Sequence, residues 1–177
     1  MFQFEPRTAT FAAMEQAHHD HQATPPDCFR LEELEVLQSF EGKTFIDVNY
    51  YLWLNQGTDE TLPYRFVYYV ELIFDDNSVL LFTSGEDSEA IRIGKVEELV
   101  STAEALRKLH GVIAIQRVHA GSFPLWLPLQ DQRLEAIRLS KQSEGLYLND
   151  ALLLDFGAHQ ILLRLSEKEG LELIPYI

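Results

Sequence analysis

One cysteine, Cys28, in 177 residues cannot form an intramolecular disulfide. Basic residues are scarce as well: 14 Lys and Arg stand against 28 Asp and Glu, a formal net charge of −14. Proteins grip phosphate backbones mainly with Lys and Arg, and the chain has no basic run, so direct nucleic-acid binding is disfavoured. Long apolar runs are missing too. The run around Leu152–Leu154 ends at Asp155, and none approaches the ~20 residues that cross a bilayer. Met1 to Pro6 lacks the charged head and apolar run of a signal peptide. These absences fit a reducing, cytoplasmic setting away from membranes.

Common catalytic signatures are also lacking. The chain has no Gly-rich phosphate loop, no G-x-S-x-G elbow, no H-E-x-x-H, no paired C-x-x-C and no Asn-x-Ser/Thr acceptor. An enzyme built on a familiar motif is disfavoured, one built on scattered residues stays open, and no cofactor is called for.

What is present is an ordinary globular balance, 46% hydrophobic and 24% charged. A chain this long buries roughly 70% of the surface its unfolded state exposes, so it folds without a metal or disulfide staple. Residues 1–27 read as a helical appendage: Phe11, Met14 and Ala17 recur at helical spacing before Thr24-Pro25-Pro26. Residues 29–40 fit a helical face (Leu31, Leu34, Gln38) or a strand (Leu34, Val36), and the sequence leaves both open. Phe45 to Leu54 alternates as a strand, with Ile46, Val48, Tyr50, Leu52 and Leu54 on one face. Tyr64 to Phe74 does the same, with Phe66, Tyr68, Val70, Leu72 and Phe74 on its inner face. Asp75 to Ser78 is a turn by composition, Val79 to Thr83 completes a hairpin, and Ala90 to Ile93 is a short strand. Lys95 to His110 is a helix with the stripe Val96, Leu99, Val100, Ala103, Leu106 and Leu109, acids early, bases late, and Gly111 beyond its end. Val112 to Val118 is a strand and Ser122 to Pro128 an irregular crossing with Trp126.

The last 50 residues echo the middle. At a spacing of 82, Leu72 meets Leu154, Phe74 meets Phe156, Val79 meets Ile161, Leu80 and Leu81 meet Leu162 and Leu163, and Ile91 meets Leu173. The turn Asp75 to Ser78 falls over Gly157 to Gln160, and Gly85 to Glu89 over Glu167 to Leu171. At a spacing of 89, Phe45, Val48 and Tyr50 meet Leu134, Ile137 and Leu139. Such self-similarity is the mark of a repeat. The reading is an α+β fold, mainly antiparallel: two related β units, 28–94 and 112–177, form one globular domain joined by helix 95–110, behind the N-terminal helix. A unit with one apolar face cannot bury it alone; two can bury theirs together, and a groove between them suits a ligand.

Site candidates are few. His18 and His21 share a helical face that a divalent metal could use with Glu15, but closed zinc sites usually take four ligands, and a solvated helix end explains them better. Cys28 beside Asp27 reads as a small buried filler, since Asp27 raises rather than lowers a thiol pKa. His110 at a helix end and His159 in a turn need no further role. His119, at a strand end, is the histidine to test for catalysis, with Glu71. Acids in Ser84 to Glu89 and Glu167 to Gly170 are too sparsely spaced for calcium.

The aromatics are more informative. Tyr51, Trp53, Val67 and Tyr69 take the second strand face with Arg65 and Glu71. Tyr, Trp and Arg are enriched at binding hot spots, and a covering layer over that face is the plainer alternative. The first functional expectation is a non-catalytic protein-binding module of adaptor, inhibitor or immunity type. It would engage a basic partner through its acidic surface and Tyr51, Trp53, Arg65 and Tyr69. The second is a small-molecule binder or enzyme with its site in the groove between halves. A homodimer through sheet edges or the aromatic face is compatible with either.

Overall fold

The computed structural model describes residues 4–5, 23–55, 65–85, 89–110, 113–167 and 170–177. The appendage expected over residues 1–27, with His18 and His21, falls mostly outside them. Among the described residues, ten strands form one curled sheet and two helices flank it, an α+β fold.

Two antiparallel meanders follow each other along the chain. The first comprises β2 (Phe45–Asn55), β3 (Arg65–Phe74), β4 (Val79–Thr83) and β5 (Arg92–Ile93). The second comprises β7 (Ala136–Ser143), β8 (Leu146–Asp155), β9 (Gln160–Ser166) and β10 (Gly170–Pro175). β6 (Ile113–His119) adds antiparallel outside β2, and β1 (Phe4–Glu5) outside β7. The meanders join where β10 meets β3 in parallel, at Gly170 and Val67. Gly170 has φ +74, and a Cβ there would collide with the Val67 carbonyl oxygen and the Phe66 ring. Only glycine lets the two strands approach so closely. A second seam pairs Thr44 with Arg133, the Phe45 amide donating to the Gln132 carbonyl at 2.8 Å and the Leu134 amide to that of Lys43 at 2.9 Å.

The inner faces of both meanders close on one core. Val48, Val70, Leu72 and Phe82 come from the first, and Ile137, Leu139, Leu152, Leu154 and Leu163 from the second. Phe45 joins them, with ring centroids 6.4 Å from Phe74, 5.7 Å from Phe156 and 5.4 Å from Trp126. Fully burying one such side chain stabilises by about 1.5–3 kcal/mol.

Residues left ambiguous at 29–40 resolve as a helix, α1 (Leu31–Phe40). Its start is fixed by Glu33, whose carboxylate accepts the Arg30 amide at 2.8 Å, half of a capping box. Leu34, Leu37 and Phe40 enter the core at helical spacing.

The strand alternation needs correction at two places. Between Phe45 and Asp47 the register with β3 shifts by one residue, so Phe45 turns inward and Ile46 is 38% exposed. A second shift sets Tyr51 opposite Tyr69 but Leu52 opposite Val67, which leaves Tyr68 as an extra residue on β3. A bulge reverses parity beyond it. Phe66 and Tyr68, expected on the inner face, therefore belong to the outer cluster, while Val67 packs on the main core. The helix expected over 95–110 is present as α2 (Val96–His110), but Val96 and Val100 of its apolar stripe are exposed. The helix packs against β6 and reaches the outer cluster through Leu99. The segment expected to turn over Glu167 to Leu171 is already strand from Gly170.

Candidate binding cleft

Because the bulge places Tyr68 and Tyr69 side by side, both rings reach the outer surface of the first meander. They meet edge to face with centroids 4.7 Å apart. Trp53 packs on Tyr68 at 5.6 Å and on Phe66 at 5.8 Å; Tyr51 meets Tyr69 at 6.4 Å. Tyr51, Trp53 and Tyr69 thus lie on the face expected of them. Tyr69 is buried, and Tyr51 and Trp53 are half-buried, against Leu81 and Leu99. Arg65 opens β3, and its side chain lies outside the described ones.

Beyond this cluster opens a cleft of about 780 Å³. Tyr68, Tyr69, Thr83 and Ser84 form one wall. Asp27, Arg30 and Glu33 form the second, from the approach to α1, and Glu98, Ser101 and Thr102 of α2 the third. Arg92 of β5 ties the walls together. Its guanidinium donates to the Glu33 carboxylate and the Cys28 carbonyl, both at 3.1 Å, and to the Pro26 carbonyl at 2.8 Å. Glu33 also accepts the Ile93 amide at 3.2 Å. Buried charge needs such company, and these bonds hold the 26–33 wall against the sheet.

Two consequences follow for the cleft's chemistry. Glu33 is neutralised by Arg92, while Asp27, Glu89 and Glu98 line the cleft without an ion pair among the described residues; Arg30 is the one lining cation left unmatched. Ser84 is fully buried, and its hydroxyl has no hydrogen-bond partner among the described residues. Such an orphaned hydroxyl costs free energy. No histidine or cysteine lines the cleft among the described residues.

Glu71 and His119 share the outer face elsewhere, on either side of Asn49 in register. Glu71 is 8% exposed and accepts Asn49 Nδ2 at 2.7 Å and the Tyr51 hydroxyl at 3.2 Å, with Arg117 Nη2 3.6 Å away. Burial first, then the Glu71 charge, raises the Tyr51 hydroxyl above its ordinary pKa against the pull of Arg117, so Tyr51 stays a donor. His119 is exposed, its Nε2 2.7 Å from Asp47 Oδ2. Gly121 allows this approach, since a Cβ there would strike Asp47 Oδ1. Cys28 is buried, its thiol donating to Gln142 Oε1 at 3.0 Å; burial, then Asp27, pushes its pKa up. No group of three or more metal-ligating side chains occurs among the described residues, and none of their helices is long and apolar enough to cross a membrane.

Sequence reasoning located the aromatic face but missed the cleft beside it. Its members come from five separated segments, which no local pattern joins. Compared with protein-family models, curated proteins and solved structures, the chain matches none.

Proposed function

We propose that this chain is a non-catalytic binding module that takes a basic segment of a partner protein into the cleft beside Tyr68 and Tyr69. The carrying observation is the charge of the lining: among the described residues, three carboxylates without ion pairs, Asp27, Glu89 and Glu98, against one unmatched cation, Arg30. The chain's net charge of −14 adds long-range attraction for such a partner. The aromatic face takes part at second hand, because Trp53 and Tyr51 buttress the two tyrosines of the wall. The volume also falls in the range of small-ligand sites, so a small organic cation is the second reading.

Calorimetric titration with a Gly-spaced Lys/Arg octapeptide tests this. Binding should weaken several-fold from low to physiological salt, where charges are screened within ~8 Å. It should weaken further in the triple variant Asp27→Asn, Glu89→Gln, Glu98→Gln, and in Trp53→Ala. Salt-independent binding that survives these changes, or none at millimolar peptide, refutes the reading.

We also infer that the two meanders are copies of one unit. Val48 pairs with Leu72 as Ile137 pairs with Leu154, and Tyr50 with Val70 as Leu139 with Leu152, at the spacings of 89 and 82 read from the sequence. In the third strand Leu80 lies opposite Leu72 as Ile161 lies opposite Leu154, so Leu80 rather than Val79 corresponds to Ile161. In the fourth, Ile93 faces Phe82 as Leu173 faces Leu163, which aligns Ile91 with Leu171. Superposing the meanders in this register should bring their inner-face Cβ atoms together. A best fit one residue out of step, which turns inner faces outward, would defeat the inference.

A further inference from the structure

We propose that the side chain the cleft selects is an arginine, read by the Ser84 hydroxyl and the Tyr68/Tyr69 wall; this rests on the basic-partner reading above. Three features converge on a guanidinium. The first is Ser84. Its side chain is fully buried in the lining and its hydroxyl is unpartnered among the described residues, so it holds an acceptor that they leave unused. The second is the aromatic wall. A planar guanidinium stacks on ring surfaces and tolerates partial dehydration better than an ammonium, and the paired tyrosines give the cleft a dehydrating side. The third is the spread of acceptors. Glu89, Glu98, Ser101 and Thr102, with their carboxylates and hydroxyls, line the same cleft. A fork of five N–H donors can satisfy several of these at once, where a compact ammonium has three.

The cleft wall already treats one guanidinium in this manner. Arg92 is held by one carboxylate and two carbonyls at 2.8–3.1 Å. That arginine is spoken for by Glu33, so it neither blocks nor neutralises the remaining carboxylates. Arg30 opposes the guest, and its charge sets a penalty that the three carboxylates outweigh.

The probes are two acetylated and amidated pentapeptides, one arginine or one lysine flanked by glycines, titrated into the full chain at low salt. The arginine peptide should bind about tenfold more tightly than the lysine peptide, the size of one hydrogen bond to a charged group. Ser84→Ala should erase that preference while leaving the thermal midpoint unchanged or higher, because the hydroxyl gives up no bond in the free protein. Glu98→Gln, at an exposed position, should weaken both peptides alike, and Arg30→Ala should strengthen both. Equal affinity of the two peptides, or a preference that survives Ser84→Ala, overturns arginine selection and leaves the basic-partner reading standing. Binding of neither peptide removes both. Loss of binding in Arg30→Ala, or tighter binding of a glutamate peptide, would make the cleft an anion site and remove both as well.

Discussion

The two meanders have interchangeable insides and unlike outsides. Inward, both present aliphatic side chains, Val70 and Leu72 on β3 against Leu152 and Leu154 on β8, at the same cross-strand pairing. Outward, the second meander settles its own charge. Arg138 donates to Asp155 at 2.6 Å and Arg164 to Glu172 at 2.5 Å, around a small apolar cluster of Ala151, Leu153 and Leu162. The first meander instead carries an aromatic surface, a buried Glu71 network and a cleft whose carboxylates outnumber their cations. Inner faces answer to packing, which constrains both meanders alike. Outer faces answer to no shared constraint, and unmatched charge and an orphaned hydroxyl fall, among the described residues, on the first meander's side.

The deepest cut at this comparison is Phe45→Ala. Phe45 belongs to the first meander but touches Phe156 and Trp126, so its removal empties space that both share. A loss of about 3–5 kcal/mol is expected, read as a lower urea midpoint at unchanged slope. Trp126 in the core and Trp53 on the outer face, separated by a Trp53→Phe variant, should report one coincident transition. Two transitions would mean that the outer aromatic face unfolds apart from the shared core.

Next in size is Asp155→Asn. Asp155 is 3% exposed; its Oδ2 takes the Arg138 guanidinium and its Oδ1 accepts the Gly157 amide at 2.9 Å. Burial raises its pKa, but Arg138, that amide and Gln160 together hold it below the usual carboxylate range. Arg138 is partly exposed and can rehydrate, so the loss should be about 2 kcal/mol, the worth of hydrogen bonds to a charged group, rather than that of a stranded buried ion. A depressed folded pKa stabilises above the unfolded value of roughly 4 and ceases to as pH falls through the folded one. Wild-type stability should therefore drop on acidification below about pH 4, and the variant's drop should be smaller. Equal acid slopes would show that this pair does not set the second meander's charge balance. Glu172→Gln breaks a more exposed pair and should cost under about 1 kcal/mol.

Much of this architecture was legible because period-two alternation and a helical stripe are local signals. Val48, Val70 and Leu72 announce an inner face without reference to anything distant. Bulges are not local in that sense. Ile46 and Tyr68 fall out of step because a neighbouring strand sets their register, and no residue in either stretch encodes that neighbour. Val96 and Val100 look like core residues by spacing, yet the partner that would bury them is absent from the described residues around α2. The cleft was least visible. Arg92 clamps Glu33 from 59 positions away and the Pro26 carbonyl from 66, and a free hydroxyl such as Ser84 reads like any other serine until its surroundings are known. Tyr51, Trp53 and Glu71, by contrast, were placed on one face from parity alone.

The smallest effect sharpens the first meander's side of the comparison. Glu71→Gln keeps an acceptor for Asn49 and Tyr51 and gives up only the attraction of Arg117 across 3.6 Å, whose side chain is 60% exposed. Stability near neutral pH should change by less than about 1 kcal/mol. The signature lies at high pH. Tyr51 has its pKa raised by burial first and by the Glu71 charge second, so the glutamine should lower it part of the way back. A raised tyrosine pKa contributes stability that is full below the unfolded value of about 10 and is lost as pH climbs through the folded one. The variant should therefore lose less stability than wild type between about pH 9 and 11. Ultraviolet titration with Tyr51→Phe as reference isolates this group from Tyr50, which burial pushes up to about 12. A Tyr51 titration unmoved by Glu71→Gln would mean that the carboxylate and hydroxyl are not coupled in solution, and that the outer face of the first meander is less ordered than its hydrogen bonds imply.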